Sequence, residues 1–588
     1  MELNAPQGDE SQRLPDHSWQ RWTIGRLRWH AVALLVLLIA LIPALDSGTA
    51  ALPDEGLYTA QAENLSNGSW SAERPAVDVD RDGRWVALVD AVPEGSRSIP
   101  YYRRPLFPLI ATPFWWMGRY STAFLLTVMG TWIAACSSTL AAKRLDPRAG
   151  VPTLWLLGVG SPLLFDAYLV VGHSLAAAFA GVAVLGIAMS VGSKGPRSRF
   201  STWGWPVLAL LSVALLTLVR TEGAIVATAL AISVVVTSVH RRNRRFAFEW
   251  SRVGLGIAIA LTTAATFLIN DAWARTIGGS STVSAAAANR HPNPINSLWT
   301  SVIRPWYPDN RSASVAMGLA LLCFLLGAVA LRLSSKSQLL GIVLLAVGAG
   351  ATVVRATQEP SLISGLIAAS PWILVGLLSL RLSVLRTSIG AILAITTLLS
   401  MVAILFTSYG EGGAAEWGGR FFHVVLPVVA PLAVCGILAL ITDLPPTRAM
   451  ICAGAIGLSA IALGTSALRA NATLRDATRT FQDVVVDRYR SEQADLAVLV
   501  RPSYTGTSRL LWTLSDEGVE LVNAPGLASL PRLLSDVSPN RDRVMLLTDV
   551  PGPLLASLFD RSNSRWSVTD VIEPGDNLFY IVVLDRDR

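Results

Sequence analysis

The sequence predicts an α-helical integral membrane protein of about thirteen transmembrane helices with a small C-terminal extracytoplasmic α/β domain. Composition, the length of the apolar blocks and the one-sided placement of basic residues predict it. Of 588 residues, 52% are hydrophobic and 15% charged, against about 45–50% and about 25% in ordinary soluble proteins. That balance excludes a disordered chain and a plain cytosolic enzyme. The mean hydropathy of +0.48 comes from long runs such as AVALLVLLIALIPAL and LISGLIAASPWILVGLLSL. A span needs about 20 apolar residues, so about thirteen such blocks place roughly 260 residues in lipid. More than half the chain must lie in loops and domains.

In chain order the blocks lie near 28–45, 121–141, 151–171, 174–192, 204–220, 222–239, 252–270, 313–331, 338–356, 361–380, 387–408, 421–442 and 448–467. The polar tail 1–27 and Arg28 resemble the charged start of a signal peptide. No convincing small-residue cleavage site follows, so the first block is expected to be an uncleaved helix. Alternating sides from a cytoplasmic N-terminus puts Lys143, Arg144 and Arg148 inside, then Lys194, Arg197 and Arg199, the run His240–Arg245, Arg332 with Lys336, and Arg381 with Arg386. Every short basic loop thus falls in the cytoplasm, as the positive-inside rule requires. One missed span would invert all later loops. The net charge of +7 therefore reports orientation, and no nucleic-acid partner is implied. All but three of the 48 basic residues are arginine, a bias that reads as base composition. The four cysteines sit inside apolar blocks as small hydrophobes, without disulfide or CxxC spacing.

The same alternation leaves three longer segments outside: loop 46–120, loop 271–312, and residues 468–588. The first ends in Tyr101-Tyr102-Arg103-Arg104-Pro105 and runs into PFWWMGRY, whose aromatic weight suits short helices lying in the membrane interface. The last segment changes character. Strand-length runs ADLAVLV, GVELVNA, RVMLLTDV and NLFYIVVL alternate with helical patterns LASLPRLLSDV and GPLLASLFDR, and Pro574-Gly575-Asp576-Asn577 marks a turn. It carries no phosphate-loop or paired-acid motif, so structural support or substrate binding is expected of it, and no catalytic role.

Four clusters on the outer side carry candidate chemistry. Asp54-Glu55 offers two carboxylates for proton transfer or for a divalent cation; the alternative is a helix start, with Asp54 as cap and Glu55 complementing the dipole. Arg103 and Arg104 suit phosphate oxygens, with Tyr101 and Tyr102 to stack on a sugar or lipid; snorkelling arginines look the same. Arg220 and Glu222 lie in a very short turn between spans, where ionisable residues mark a site or pair with each other. Finally, Glu416-Trp417-Gly418-Gly419-Arg420-Phe421-Phe422-His423 opens the twelfth span, offering Arg420 and His423 as phosphate donors or an ordinary helix anchor. His173, Ser174 and the deeper Asp166 face the same side, where a lone histidine is more often structural. All converge on one end of the bundle. An acidic pair among arginines suits attack on a sugar carried by a lipid phosphate, a carboxylate taking the acceptor proton and arginines stabilising the departing phosphate.

Asp54-Glu55-Gly56 with Tyr58, Arg104-Pro105-Leu106-Phe107-Pro108, Arg220-Thr221-Glu222-Gly223 and Gly419-Arg420 leading to Pro427 resemble the GT-C superfamily of membrane glycosyltransferases. In layout they are closest to its protein-mannosyltransferase and aminoarabinose-transferase branch, which uses polyprenyl-phosphate sugars. The resemblance spans residues 28–467. It implies that Asp54 is the catalytic base, that Glu55 supports it or a metal, and that Arg103, Arg104 and Arg420 hold the donor phosphate. Many relatives carry an acid at the start of the fourth span, where this chain has His173-Ser174. Asp166 is the candidate substitute there, for a metal or a second acid. The expected activity is inverting transfer of a sugar to a cell-envelope glycan, glycolipid or protein on the outer face of the plasma membrane, in contact with membrane lipid. The rivals are a transporter or flippase of a lipid-linked intermediate and a non-catalytic membrane scaffold.

Overall fold

The computed structural model describes residues 17–586 apart from 75, 81, 88–90, 192–198, 243–244, 279–292, 306–310, 359, 408–415, 501–506, 538–540, 551–553, 556–564 and 573–579. Lys194, Arg197, the turn at 574–577 and much of loop 271–312 lie outside the described residues. Among the described residues, ten helices are long and apolar enough to cross a membrane. They include Leu27–Leu45, His173–Val191, Thr221–Ser238, Trp250–Gly278, Ser314–Leu333, Gln338–Thr357 and Ser388–Thr407.

The other three expected blocks are helical but shorter or broken. Trp203–Val219 is an apolar helix of less than full span length. Block 151–171 divides into Gly150–Gly158 and Leu163–Asp166, because Gly158, Gly160 and Pro162 interrupt it. Block 361–380 divides into Leu366–Ala369 and Pro371–Leu378, with Pro371 at the restart. These broken segments place irregular backbone at one end of the bundle, and the charged residues gather there.

Two helices run longer than the blocks that predict them. Leu106–Leu145 is continuous except at Gly118 and Arg119, where the backbone leaves helical geometry; its first part presents exposed Leu109, Trp116 and Met117. Helix Pro446–Ser491 has 46 residues, about 69 Å at 1.5 Å per residue. The sequence boundary at 468 falls inside it, because the polar stretch after Ala467 keeps helix-forming residues and meets no breaker before Ser491.

Beyond that helix lies a five-stranded sheet of β1 Leu496–Val500, β2 Leu521–Ala524, β3 Arg543–Thr548, β4 Trp566–Ile572 and β5 Tyr580–Arg586, in the order β2-β1-β3-β5-β4. β1 is parallel to β2 and β3, and β5 antiparallel to β3 and β4. β1 is buried along its whole length, as a central parallel strand should be. The loop after the first helix packs into the same core. Ala76, Val79 and Trp85 join Val498, Val522 and Leu534, and the Trp85 carbonyl accepts from Asn523 N–H at 3.0 Å. Residues 46–120 and the C-terminal sheet thus form one layer over the end of the bundle.

Candidate active site

The helix Pro53–Ser66 begins a few residues after the first span. Its N-cap is Leu52, with no side-chain capping bond, so Asp54 is not spent on the helix end. Its carboxylate instead spans two arginines: Oδ2 lies 2.7 Å from Arg420 Nη1 and Oδ1 lies 2.7 Å from Arg509 Nη1. Arg420 comes from a loop that begins the twelfth apolar block, and Arg509 from the C-terminal region. Gly56 permits the second contact, since a Cβ there would sit 2.0 Å from the Arg509 carbonyl oxygen. Burial alone would raise the Asp54 carboxyl; Arg420 and then Arg509 outweigh it and hold the group below its ordinary value of 3.8. The side chain remains 26% exposed, so a ligand can reach it.

Arg420 is shared. Its Nη1 also lies 2.7 Å from Glu416 Oε1, and Glu416 Oε2 lies 3.3 Å from His173 Nε2. Burial would push Glu416 up, yet Arg420 and then His173 hold it well below the usual carboxylate range. His423 Nδ1 is 2.6 Å from Asp166 Oδ2 and Nε2 is 3.2 Å from the Gly418 carbonyl, while the rings of His173 and His423 are 5.6 Å apart. Asp166, His173, His423 and Glu416 are buried and form a polar floor under the Asp54–Arg420 pair. Arg220 and Glu222 make a two-bond pair at 3.0 and 3.2 Å. Burial would lower the Arg220 guanidinium, but Glu222 holds it above its ordinary value. Tyr58 donates to Tyr101 at 3.1 Å, with the ring centroids 4.5 Å apart and the planes tilted by 49°. Burial and the neighbouring Tyr58 hold the Tyr101 phenol well above 10.0, so it stays neutral, a donor or a stacking face.

The loop that delivers Arg420 depends on two glycines. Gly418 and Gly419 have φ of +71° and +68°, and a Cβ on Gly419 would lie 2.0 Å from the Ser301 carbonyl oxygen. Left-handed backbone pressed against main chain leaves only glycine. Gly419→Ala is expected to cost about 3 kcal/mol through strain and clash. Gly457→Ala, where a Cβ meets nothing within 4 Å, is expected to be neutral or to stabilise by up to about 1 kcal/mol. Thermal melts of the two variants in detergent should separate in that order; equal melting temperatures would remove the loop's dependence on Gly419.

Other residues with an expected site role lie elsewhere. Glu55 is fully buried. Oε1 and Oε2 lie 2.8 and 3.0 Å from Arg475 Nη2, and the two oxygens also accept from Val170 N–H and Ala51 N–H. The expectation that Glu55 supports the base or a metal is therefore corrected: a guanidinium already occupies the place a cation would need. Asp166, the alternative metal ligand, is held by His423, and among the described residues no three His, Cys, Asp or Glu groups meet as a metal site. Glu55, so held, does not fit a divalent cation. Arg104 is buried and turned to the Thr217 carbonyl at 3.1 Å and Thr221 Oγ1 at 3.1 Å, so it fastens the Arg220 turn. Tyr102 packs on Gly278 and beside Ile99 and Ala274. Arg103 is half-buried, and its carbonyl accepts from Asn270.

Arg509 and Glu416 complete the cluster. No local signal marks Arg509, because the contact joins residues 455 positions apart.

The sequence matches no protein-family model and no curated protein. Solved structures resemble it. A crystal structure of ArnT from Cupriavidus metallidurans in the apo state, 13% identical, has a TM-score of 0.53 with 97% of this chain and 99% of that chain covered. The same protein bound to undecaprenyl phosphate is 14% identical, with a TM-score of 0.49 and coverage of 94% and 97%. A crystal structure of the Archaeoglobus fulgidus oligosaccharyltransferase with zinc and sulfate is 15% identical, with a TM-score of 0.46 and coverage of 87% and 67%. The fold of this chain, a multi-spanning bundle capped by the loop after its first helix and by its C-terminal sheet, is that of ArnT from Cupriavidus metallidurans.

Proposed function

We propose that the chain is an inverting glycosyltransferase that moves a sugar from a polyprenyl-phosphate donor to a cell-envelope glycan, glycolipid or protein on the outer face of the plasma membrane. The carrying observation is Asp54, partly exposed and held between Arg420 and Arg509, at the capped end of a bundle with the GT-C fold. The ArnT that shares this fold has been crystallised with undecaprenyl phosphate, the carrier class proposed here.

The geometry suggests how the parts cooperate. A donor phosphate offers Arg420 and Arg509 the anionic oxygens that they now find on Asp54. When it takes them, Asp54 loses its two cations and becomes a better proton acceptor. The acceptor hydroxyl gives its proton to Asp54 as its oxygen attacks the anomeric carbon. The bond from that carbon to the phosphate oxygen breaks, and the arginines neutralise the charge that grows on the leaving phosphate. Attack from the face opposite the leaving group inverts the anomeric centre. Glu416 keeps Arg420 aimed, and Tyr58 and Tyr101 provide an aromatic wall beside the carboxylate.

The test is transfer of label from polyprenyl-phosphate sugars to an extractable acceptor in vesicles carrying the purified chain. Formation of a glycosidic bond is expected. Movement of intact donor between leaflets without such a bond would instead establish a flippase. The role of Arg509 has its own readout. Arg509→Ala removes charge-assisted hydrogen bonding of about 1.5–3 kcal/mol, so donor KM should rise by about ten- to a hundredfold with a smaller change in kcat. Unchanged donor KM would confine Arg509 to holding the C-terminal layer in place.

A further inference from the structure

A cavity of about 340 Å³ opens at the opposite end of the bundle, lined by Arg332, Ser335, Gln338, Ser379, Arg381 and Asp443 among others. Helix Gln338–Thr357 starts at this cavity and ends beside the segment that meets the Gly418 loop. Its 20 residues separate the two places by about 30 Å. The cavity belongs to neither the proposed active site nor the outer layer.

Its donors converge and are underused. Ser379 is 4% exposed, and its Oγ is buried with no hydrogen-bond partner. A hydroxyl left so costs free energy unless something binds it. Arg332 Nη1 donates to the Leu378 carbonyl, and Arg381 Nη2 to Asp443 and, at 3.4 Å, the Ala439 carbonyl. Each guanidinium has further N–H groups for an anion. Asp443 offsets one of the two positive charges, leaving the cavity net positive. Around it, Leu333, Leu339, Leu340 and Leu382 are exposed apolar side chains, as in a surface that meets acyl chains.

We propose that this cavity binds a phosphate group, that of an anionic phospholipid headgroup, with the Ser379 hydroxyl and the guanidiniums of Arg332 and Arg381 as donors and the leucines against the acyl chains. Basic pockets between membrane helices recognise anionic headgroups by this combination of charge and depth. A phosphate free in solution presents the same oxygens without the tails, so the leucine rim favours the lipid.

The test uses the purified full chain in phosphatidylcholine nanodiscs doped with phosphatidylglycerol, with retained lipids counted by native mass spectrometry. Parallel samples contain phosphatidylcholine alone or inorganic phosphate without phosphatidylglycerol. One phosphatidylglycerol is expected to be retained in preference to phosphatidylcholine. At about 1 kcal/mol per basic residue, Arg332→Gln with Arg381→Gln should weaken retention by roughly thirtyfold. The Arg381–Asp443 pair is half exposed, 48% and 63%, and contributes little to stability, so this variant should fold. Ser379→Ala removes only the hydroxyl and should weaken retention by about tenfold. Equal retention in wild type and both variants would overturn the site. Inorganic phosphate retained as strongly as phosphatidylglycerol would overturn the lipid as its source. Neither readout depends on glycosyl transfer, so failure of the proposed activity leaves this test standing.

Discussion

Asp54→Asn is expected to lower kcat for sugar transfer by about 10²- to 10⁴-fold, the usual worth of a positioned general base. Asparagine has the same shape and keeps one oxygen for one of the two arginines, but it cannot accept the proton. The side chain is partly exposed, so little stability is at stake and expression should be normal. Donor affinity gives a second readout of opposite sign. If the donor phosphate replaces Asp54 on Arg420 and Arg509, removing the carboxylate's charge removes a competitor. Donor KM should then fall or stay level while kcat collapses. Full transfer by a normally expressed Asp54→Asn would eliminate Asp54 as the base. Weakened donor binding would eliminate the exchange of anions on the arginines.

The pH profile follows from the same contacts. In the free protein the two guanidiniums hold Asp54 below 3.8, and kcat/KM reports the free protein. Its acid limb should therefore lie below the ordinary carboxylate range. With donor bound, the arginines are engaged elsewhere, and the acid limb of kcat should move up. The stabilising part of these ion pairs has the sign of a depressed carboxylate. It is present above the unfolded value of 3.8 and is lost as pH falls through the lower folded value.

Local patterns carried the bundle and its capped end. Apolar blocks specify spans because that signal needs only contiguous residues. The sequence also brought together Asp54, Arg420, Arg220, Glu222, His173 and His423, each at one end of a block. It could not divide labour between Asp54 and its neighbour. Adjacent residues on a helix point about 100° apart, and only the packing shows that Asp54 faces Arg420 and Arg509 while Glu55 faces helix Pro446–Ser491. Arg104 shows a related limit, since a buried arginine that ties down main chain has the composition of a phosphate ligand. Arg509 was invisible because nothing within several hundred residues of it names Asp54.

Glu55→Gln separates the two carboxylates by a different observable. Glu55 and Arg475 are both 0% exposed, and Arg475 also donates to Asn471 Oδ1 at 2.9 Å and to the carbonyls of Thr49 and Tyr168. Its guanidinium lies over the rings of Phe124 and Tyr120. Removing the only carboxylate paired with it among the described residues leaves a buried cation, which costs about 3–5 kcal/mol. Glutamine keeps one acceptor oxygen, so the N–H groups of Ala51 and Val170 cannot both be served in the same way. A marked fall in melting temperature is expected in detergent, where Asp54→Asn should move it little. Adding Arg475→Met removes the stranded charge but orphans the carbonyls of Thr49 and Tyr168, so it should recover only part of the loss. A Glu55→Gln protein with wild-type melting temperature and no transfer would return Glu55 to the chemistry. A destabilised protein whose remaining folded fraction transfers sugar at the wild-type rate would fix its role as the brace that seats Asp54.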